Sequence, residues 1–272
     1  MPTSPDQVPE RWGALASAYE QSFEGLSSQF SAEALRLLDL KPGERVIDVA
    51  AGTGTFSLMA ARAGAEVLAT DFAAGMVARV RERTAAEGMT RITAEVMDGQ
   101  ALAVPDASFD ASVSVLGLIF FPDIHKGLTE LRRVLRPGGR AAVVCWSDPR
   151  NLQLMTSVAE SIRRVVPEFQ LPAAPPVWAR LAGATPLRDE MYRAGFREVE
   201  VTTSTGILTI ESPHAFWDDF TRSGPPLAFL FQQLGPERAA AVGRDYIASL
   251  TAESRDGVPR LSAEACIGIG RA

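Results

Sequence analysis

The stretch VIDVAAGTGTFS, residues 46–57, decides the fold. An apolar run carrying one acid ends in two alanines and a Gly-Thr-Gly turn, and a helical pattern starts at about Thr55. A strand that only filled a core would need no such turn. Glycine at 52 and 54 removes side chains where backbone must approach something closely. The free N–H groups opening the next helix present a positive dipole end to whatever lies there. Glycine-rich turns of this kind also occur for packing alone, so the neighbouring residues must decide.

Working outward, residues 8–39 read as two helices. One carries Trp12, Leu15, Tyr19 and Phe23 at helical spacing; the other is SAEALRLLDL, with Ser31 as N-cap and KPG as stop. Beyond the turn, TFSLMAARAG, AAGMVARVRERTAAEG and HKGLTELRRVLRPGG read as helices. They alternate with the strands AEVLATD, ITAEVMD, FDASVSVLG and RAAVVCW. This alternation predicts an α/β fold, a doubly wound parallel sheet. After Trp146 the rhythm breaks into a helix, a proline-rich connection, a helix, the long strand REVEVTTSTGILTI, broken helices, and a last strand. The expected organisation is a helical cap over 1–40, a cofactor-binding core over 41–150 and an inserted lid over 151–184. The core continues over 185–210, a helical lid follows over 211–257, and the final core strand spans 258–272. Long connections in compact domains are commonly functional.

The chain has 272 residues, a formal net charge of -6 and no basic stripe. That argues against nucleic acid as partner. The arginines of LRRVLR, residues 131–136, read as a solvated helix end. Cys145 and Cys266 are too few for a disulfide framework or a zinc site and read as buried free thiols. No metal is expected. The start lacks a secretory pattern and no apolar run is long enough to span a bilayer, so a cytoplasmic, non-membrane protein is expected. A homodimer is allowed.

Three strand ends carry the ligand argument. Asp71 closes the second strand, 17 residues after Gly54, where a carboxylate can accept both ribose hydroxyls. Asp98 closes the third, where it can accept an exocyclic amino group, with Gly99 and Gln100 offering amides to ring nitrogens. Together with the glycine turn these describe an adenosine site. A dinucleotide fingerprint fails at Ser57, and a phosphate-binding loop fails for want of a lysine. Asp48, inside the first strand, would repel pyrophosphate but suits an ammonium, directly or through water. S-adenosylmethionine, with an amino group and a sulfonium, fits best.

These residues resemble the class I S-adenosylmethionine-dependent methyltransferases of small molecules, a group that includes the quinone C-methyltransferases. The resemblance spans roughly residues 42–146, continues through AGFREVEV, and ends in the last strand. It implies a seven-stranded Rossmann-like sheet with the last strand antiparallel. The family's acidic first motif falls on Asp48 to Gly54, with Ala50 standing where a glycine is usual. The ribose acid falls on Asp71, with Phe72 beside it and Met76 packed on adenine. The base-binding acid falls on Asp98, and Leu116 and Gly117 line the methionine side. LRRVLRPGGR matches the turn before the fifth strand.

The cofactor supplies the electrophile and leaving group, so no fixed catalytic motif is required. The apolar VLGLIFF run suggests a small aromatic or lipophilic acceptor, methylated on O, N or C, with Phe120 or Phe121 facing it. His125, His214 and Tyr19 are the candidates for a base. Tyr19 reads equally as a cofactor contact or as part of one packing stripe with Trp12, Leu15 and Phe23. Competing readings are a protein methyltransferase, a non-catalytic S-adenosylmethionine-binding protein, and an NAD-dependent oxidoreductase, the last opposed by Asp48 and Ser57.

Overall fold

Short runs of Val, Ile and Ala make the central strands, and helices between them cover both faces. The computed structural model describes residues 7–170, 177–254 and 257–272. In chain order the elements are α1 (Pro9–Ala14), α2 (Ala16–Leu38), β1 (Arg45–Val49), α3 (Thr55–Arg62), β2 (Glu66–Asp71), α4 (Ala74–Ala86) and β3 (Ile92–Val96). There follow β4 (Phe109–Val115), α5 (Ile124–Arg133), β5 (Leu135–Trp146), α6 (Gln153–Val165) and α7 (Ala184–Arg193). The chain ends with β6 (Arg197–Thr209), α8 (Pro213–Phe220), α9 (Pro225–Leu234), α10 (Pro236–Glu253) and β7 (Arg260–Arg271). The seven strands lie in the order β3-β2-β1-β4-β5-β7-β6, with β7 antiparallel to both neighbours. The order reverses between β1 and β4, so the carboxyl ends of β1 to β4 meet at the switch point where such sheets bind ligands.

Several local expectations are corrected. The N-terminal helices divide at Leu15, not near Ser31. The apolar stripe Leu26, Phe30, Ala34, Leu38 keeps α2 continuous, and Ser31 is buried in mid-helix. The helix before the fifth strand stops at Arg133, and LRPGG already belongs to β5. The arginines of LRRVLR are engaged, not merely solvated. Arg133 donates to the carbonyls of Leu102 and Val104, Arg132 to that of Gly195, and Arg136 to Asp110. Cys145 and Cys266 are free and buried, facing each other in the β5–β7 register. Three expected segments reach beyond the described residues: 1–6 of the cap, 171–176 of the first lid, and 255–256 of the second.

Two cores result. The larger surrounds the sheet. The smaller joins α6 and α8–α10 to the tips of β6 and β7 through Val158, Ile162, Trp217, Phe220, Phe231 and Tyr246. Edge strand β6 is blunted by Gln29, whose side-chain amide exchanges two hydrogen bonds with Ile207 backbone, at 2.8 and 3.0 Å. Among the described residues no helix is long and apolar enough to cross a membrane.

Candidate active site

The strand ends surround a cavity of about 500 Å³. Its floor comprises Ala50, Gly52, Asp71, Asp98, Gly99, Leu116 and Gly117, with Phe72, Met76 and Met97 beside them. Trp12 and Tyr19 cover it, and Phe120, Phe121 and Pro122 form the remaining wall. The structure thus gathers most of the expected cofactor residues around one space.

The floor is backbone held in place by acids and strain. Gly52 N–H donates to Asp71 Oδ2 and Ala73 N–H to Oδ1, both at 2.9 Å, so Asp71 pins the glycine turn to the end of β2. Burial pushes the Asp71 carboxyl up to about 6, against the pull of its backbone N–H donors. Asp98, which is exposed, accepts Gln100 N–H at 2.9 Å. Ala50 and Leu116 adopt left-handed backbone, with φ of 57° and 58°. For a residue with a Cβ this costs about 1–2 kcal/mol. Gly117 packs directly on Ala50: a Cβ at Gly117 would lie 2.5 Å from that of Ala50. Ala50 therefore adopts the conformation for which glycine is usual, and Gly117 supplies the room its methyl group needs.

Other expected residues sit elsewhere. Gly54 lines no described cavity; its φ of 86° starts α3, and a Cβ there would press on Val80 of α4 at 3.1 Å. Asp48 lies behind the turn, 1 % exposed, where Ser57 Oγ donates to its Oδ2 at 2.7 Å. Burial pushes its carboxyl up to about 7, the Ser57 bond opposing and the Asp71 charge assisting. The serine that breaks the dinucleotide fingerprint thus serves the acid.

The cover is made of rings and ion pairs. Trp12 meets Phe120 edge-on with centroids 5.0 Å apart, and Tyr19 stacks on Phe23 at 5.5 Å. Tyr19 is therefore both a cavity residue and a member of the packing stripe. Burial, with the Asp71 charge, pushes its phenol up to about 12, which leaves it a donor at neutral pH. Gly13 of α1 crosses Gly75 of α4 so closely that a Cβ at Gly75 would fall 2.6 Å from the Gly13 Cα. Arg79 grips Glu20 at 2.6 Å, and Arg83 pairs with Glu24 and donates to the Thr53 carbonyl at 3.2 Å. Helix α2 is thereby latched to α4 and to the glycine turn.

The histidines are not brought to this cavity. His125 Nδ1 lies 3.2 Å from Glu190 Oε1, joining α5 to α7, and His214 is exposed on α8. Neither is among the lining residues. Residues that sequence reasoning passed over include Gln7, Pro9, Val96, Met97 and Pro122. Val96 and Met97 precede Asp98, and their position at a strand end was the available signal. Among the described residues no group of three or more His, Cys, Asp or Glu side chains is placed to hold a metal.

Known proteins resemble this chain at several levels. A family model described as a methyltransferase domain matches residues 46–139. An uncharacterized protein of Mycobacterium tuberculosis is 32 % identical over 207 residues, 75 % of this chain and 72 % of that protein. A demethylmenaquinone methyltransferase of Clavibacter sepedonicus is 37 % identical over 173 residues, 60 % of this chain and 70 % of that protein. The solved structure of the cyclase SpnF superposes with a TM-score of 0.61, covering 98 % of this chain and 96 % of that one. At 17 % identity that likeness concerns the fold alone.

Proposed function

Because the chain belongs to the class I S-adenosylmethionine-dependent methyltransferases and is similar to the quinone C-methyltransferases, we propose that it methylates a small aromatic or lipophilic acceptor on O, N or C. The cofactor, when bound, supplies an activated methyl group and a thioether leaving group. The residues present fit it. Asp71 and Asp98 stand at adjacent strand ends beside the cavity, with Met76 and Met97 lining the same space as apolar surface for a flat base and Gly52 open to close approach. In this reading Asp71 takes the ribose hydroxyls, Asp98 the base amino group, and Leu116 and Gly117 flank the methionine chain.

The observation that carries the acceptor class is the character of the remaining wall. Trp12, Phe120, Phe121 and Pro122 offer flat apolar surface and no charge. Aromatic surface of this kind favours stacked or edge-on rings. The named activity of the Clavibacter relative, on a demethylated menaquinone, points the same way. The wall's work is orientation and exclusion of water, and aligning two reactants can contribute on the order of 7–11 kcal/mol. The reading requires neither His125 nor His214, and Tyr19 acts as a hydrogen-bond donor.

The test is to incubate purified protein with methyl-labelled S-adenosylmethionine and a metabolite extract, with a demethylated naphthoquinol in parallel, and to follow the label by mass spectrometry. Label in a lipophilic small molecule is expected. Label on polypeptide would favour a protein methyltransferase. Tight cofactor binding without transfer to any acceptor would favour a non-catalytic binder.

A further inference from the structure

The aromatic wall of the main cavity begins as a short helical turn, Leu118–Phe120, and continues through Phe121 and Pro122. The turn closes with Phe120 N–H on the Gly117 carbonyl and Phe121 N–H on the Leu118 carbonyl, each at 3.0 Å. The next bond of that series would run from residue 122 to the Ile119 carbonyl. Pro122 has no N–H to give, so that carbonyl needs a donor from elsewhere. Arg180 supplies it. Its guanidinium donates to the carbonyls of Ile119 at 3.1 Å and Pro122 at 3.3 Å, and to that of Phe121 between them. Three main-chain carbonyls of the wall thus converge on one side chain, 58 to 61 positions away in the chain.

Arg180 is among the lining residues of neither described cavity. It reaches the wall from the connection between β5 and α7, and its own root is fixed. Val177–Ala179 forms a helical turn, Arg180 N–H donates to the Val177 carbonyl at 3.2 Å, and the buried Leu181 accepts Cys145 Sγ of β5 at 3.2 Å. The Phe121 ring is wedged between Gly99 and Gly127: a Cβ at either would fall 2.6 Å from a ring carbon. We propose that Arg180 is a positioning residue for the methyl acceptor, fixing where Phe120 and Phe121 stand in the cavity. The assignment rests on the acceptor reading above. A planar fork of five N–H donors holds several carbonyls in set directions, which an ammonium on a flexible stem does not. The wall carries no charge that could orient an apolar ring. The acceptor's alignment toward the methyl group therefore depends on where the two phenylalanine rings stand.

Three measurements on Arg180→Met and Arg180→Lys test this: hydrogen exchange of the wall amides, calorimetry with S-adenosylhomocysteine, and turnover of a demethylated naphthoquinol with S-adenosylmethionine. In Arg180→Met the amides of Phe120 and Phe121 should exchange faster, while those of β4 keep their rates. The kcat/KM for the naphthoquinol should fall about a hundredfold, the size of a misplacement of about 1 Å. Affinity for S-adenosylhomocysteine should be unchanged. Arg180→Lys keeps the charge but loses the fork, so it should recover only part of the rate. Its exchange and turnover carry the test should the methionine variant unfold. Arg62→Met, which removes an arginine paired with Glu87 and lining neither cavity, should match wild type throughout. Unchanged wall exchange in Arg180→Met, full recovery by lysine, or equal losses of cofactor affinity and turnover would overturn the assignment. A wild type that binds S-adenosylhomocysteine yet leaves the naphthoquinol unmethylated would instead refute the acceptor reading, and wall exchange would then decide the role of Arg180 alone.

Discussion

Ala50, Asp71 and Leu116 on the cavity floor are held by backbone, whereas Trp12, Tyr19 and Phe120 on its cover are held by ring contacts. Asp71 spends both oxygens on main-chain N–H groups, and two non-glycine residues keep left-handed backbone. Such strain persists only where the surroundings over-determine it, and it gathers at ligand sites. The cover instead rests on edge-on and stacked rings, a glycine crossing, and the ion pairs of Arg79 and Arg83. In the proposed reading, the directional polar groups would specify the nucleoside and the packed rings would admit flat acceptors. The difference teaches that recognition and enclosure are built from different forces in one cavity.

Asp71→Ala should show the largest effect, because it strikes the floor twice. It strands the N–H groups of Gly52 and Ala73, at about 1–3 kcal/mol for each buried donor left unpaired. It also removes the proposed ribose acceptor. Chemical denaturation and calorimetry should both register a loss. A variant with normal stability and normal S-adenosylhomocysteine affinity would erase the contrast with the cover.

Trp12→Ala should act on the other side. Trp12 is 8 % exposed and packs with Ala16, Ala73, Met76 and Phe120, at the margin of the fold. A loss of about 2–3 kcal/mol is expected, somewhat below the 3–5 of a fully enclosed tryptophan. KM for the acceptor should rise more than the dissociation constant of S-adenosylhomocysteine. The reverse pattern would make the cover part of nucleoside recognition.

pH separates the two regions further. The folded values of Asp48, about 7, and Asp71, about 6, lie above the usual carboxylate value of about 4. Between those limits the folded state binds more protons than the unfolded one. Stability of the ligand-free protein should therefore fall as pH rises from about 4 to about 7, then level off. Asp48→Asn should flatten part of that slope in thermal melts. Affinity for S-adenosylhomocysteine should rise over pH 6 to 8 in the wild type, as Asp48 ionises. The cover's Glu20 behaves oppositely: the Arg79 hydrogen bond holds it below its usual range, so its contribution is lost only as pH falls through that lowered value. Parallel profiles for Asp48→Asn and wild type would contradict the assignment of the slope.

Ala50→Gly should give the smallest effect. Relief of left-handed strain, about 1–2 kcal/mol, is opposed by the added freedom of the unfolded chain, about 0.4–1 kcal/mol. A gain of under about 1 kcal/mol is expected by denaturation. A large loss would show that the alanine methyl packs against Gly117 with more effect than its backbone strain.

The same division governs what was legible in the sequence. The turn Gly52-Thr53-Gly54 and the acids Asp71 and Asp98 are tied to strand ends by chain-local rules, so topology alone delivers them to one place. Trp12, Phe120 and Met97 read identically whether they fill a core or line a cavity, because hydrophobicity carries no direction. Ser31 resembles an N-cap until the continuous stripe from Leu26 to Leu38 keeps its helix intact and turns it inward. His125 drew attention by its chemistry, yet its ring faces Glu190 on a helix more than sixty positions away in the chain. Distant packing decided that, and no local pattern announces it.

A crystal structure with S-adenosylhomocysteine bound would probe the whole scheme at once. The expected result is a nucleoside lying across the ends of β1 to β3, its ribose on Asp71 and its base at Asp98. Density for the nucleoside anywhere outside the floor formed by Ala50, Gly52 and Asp71 would contradict it.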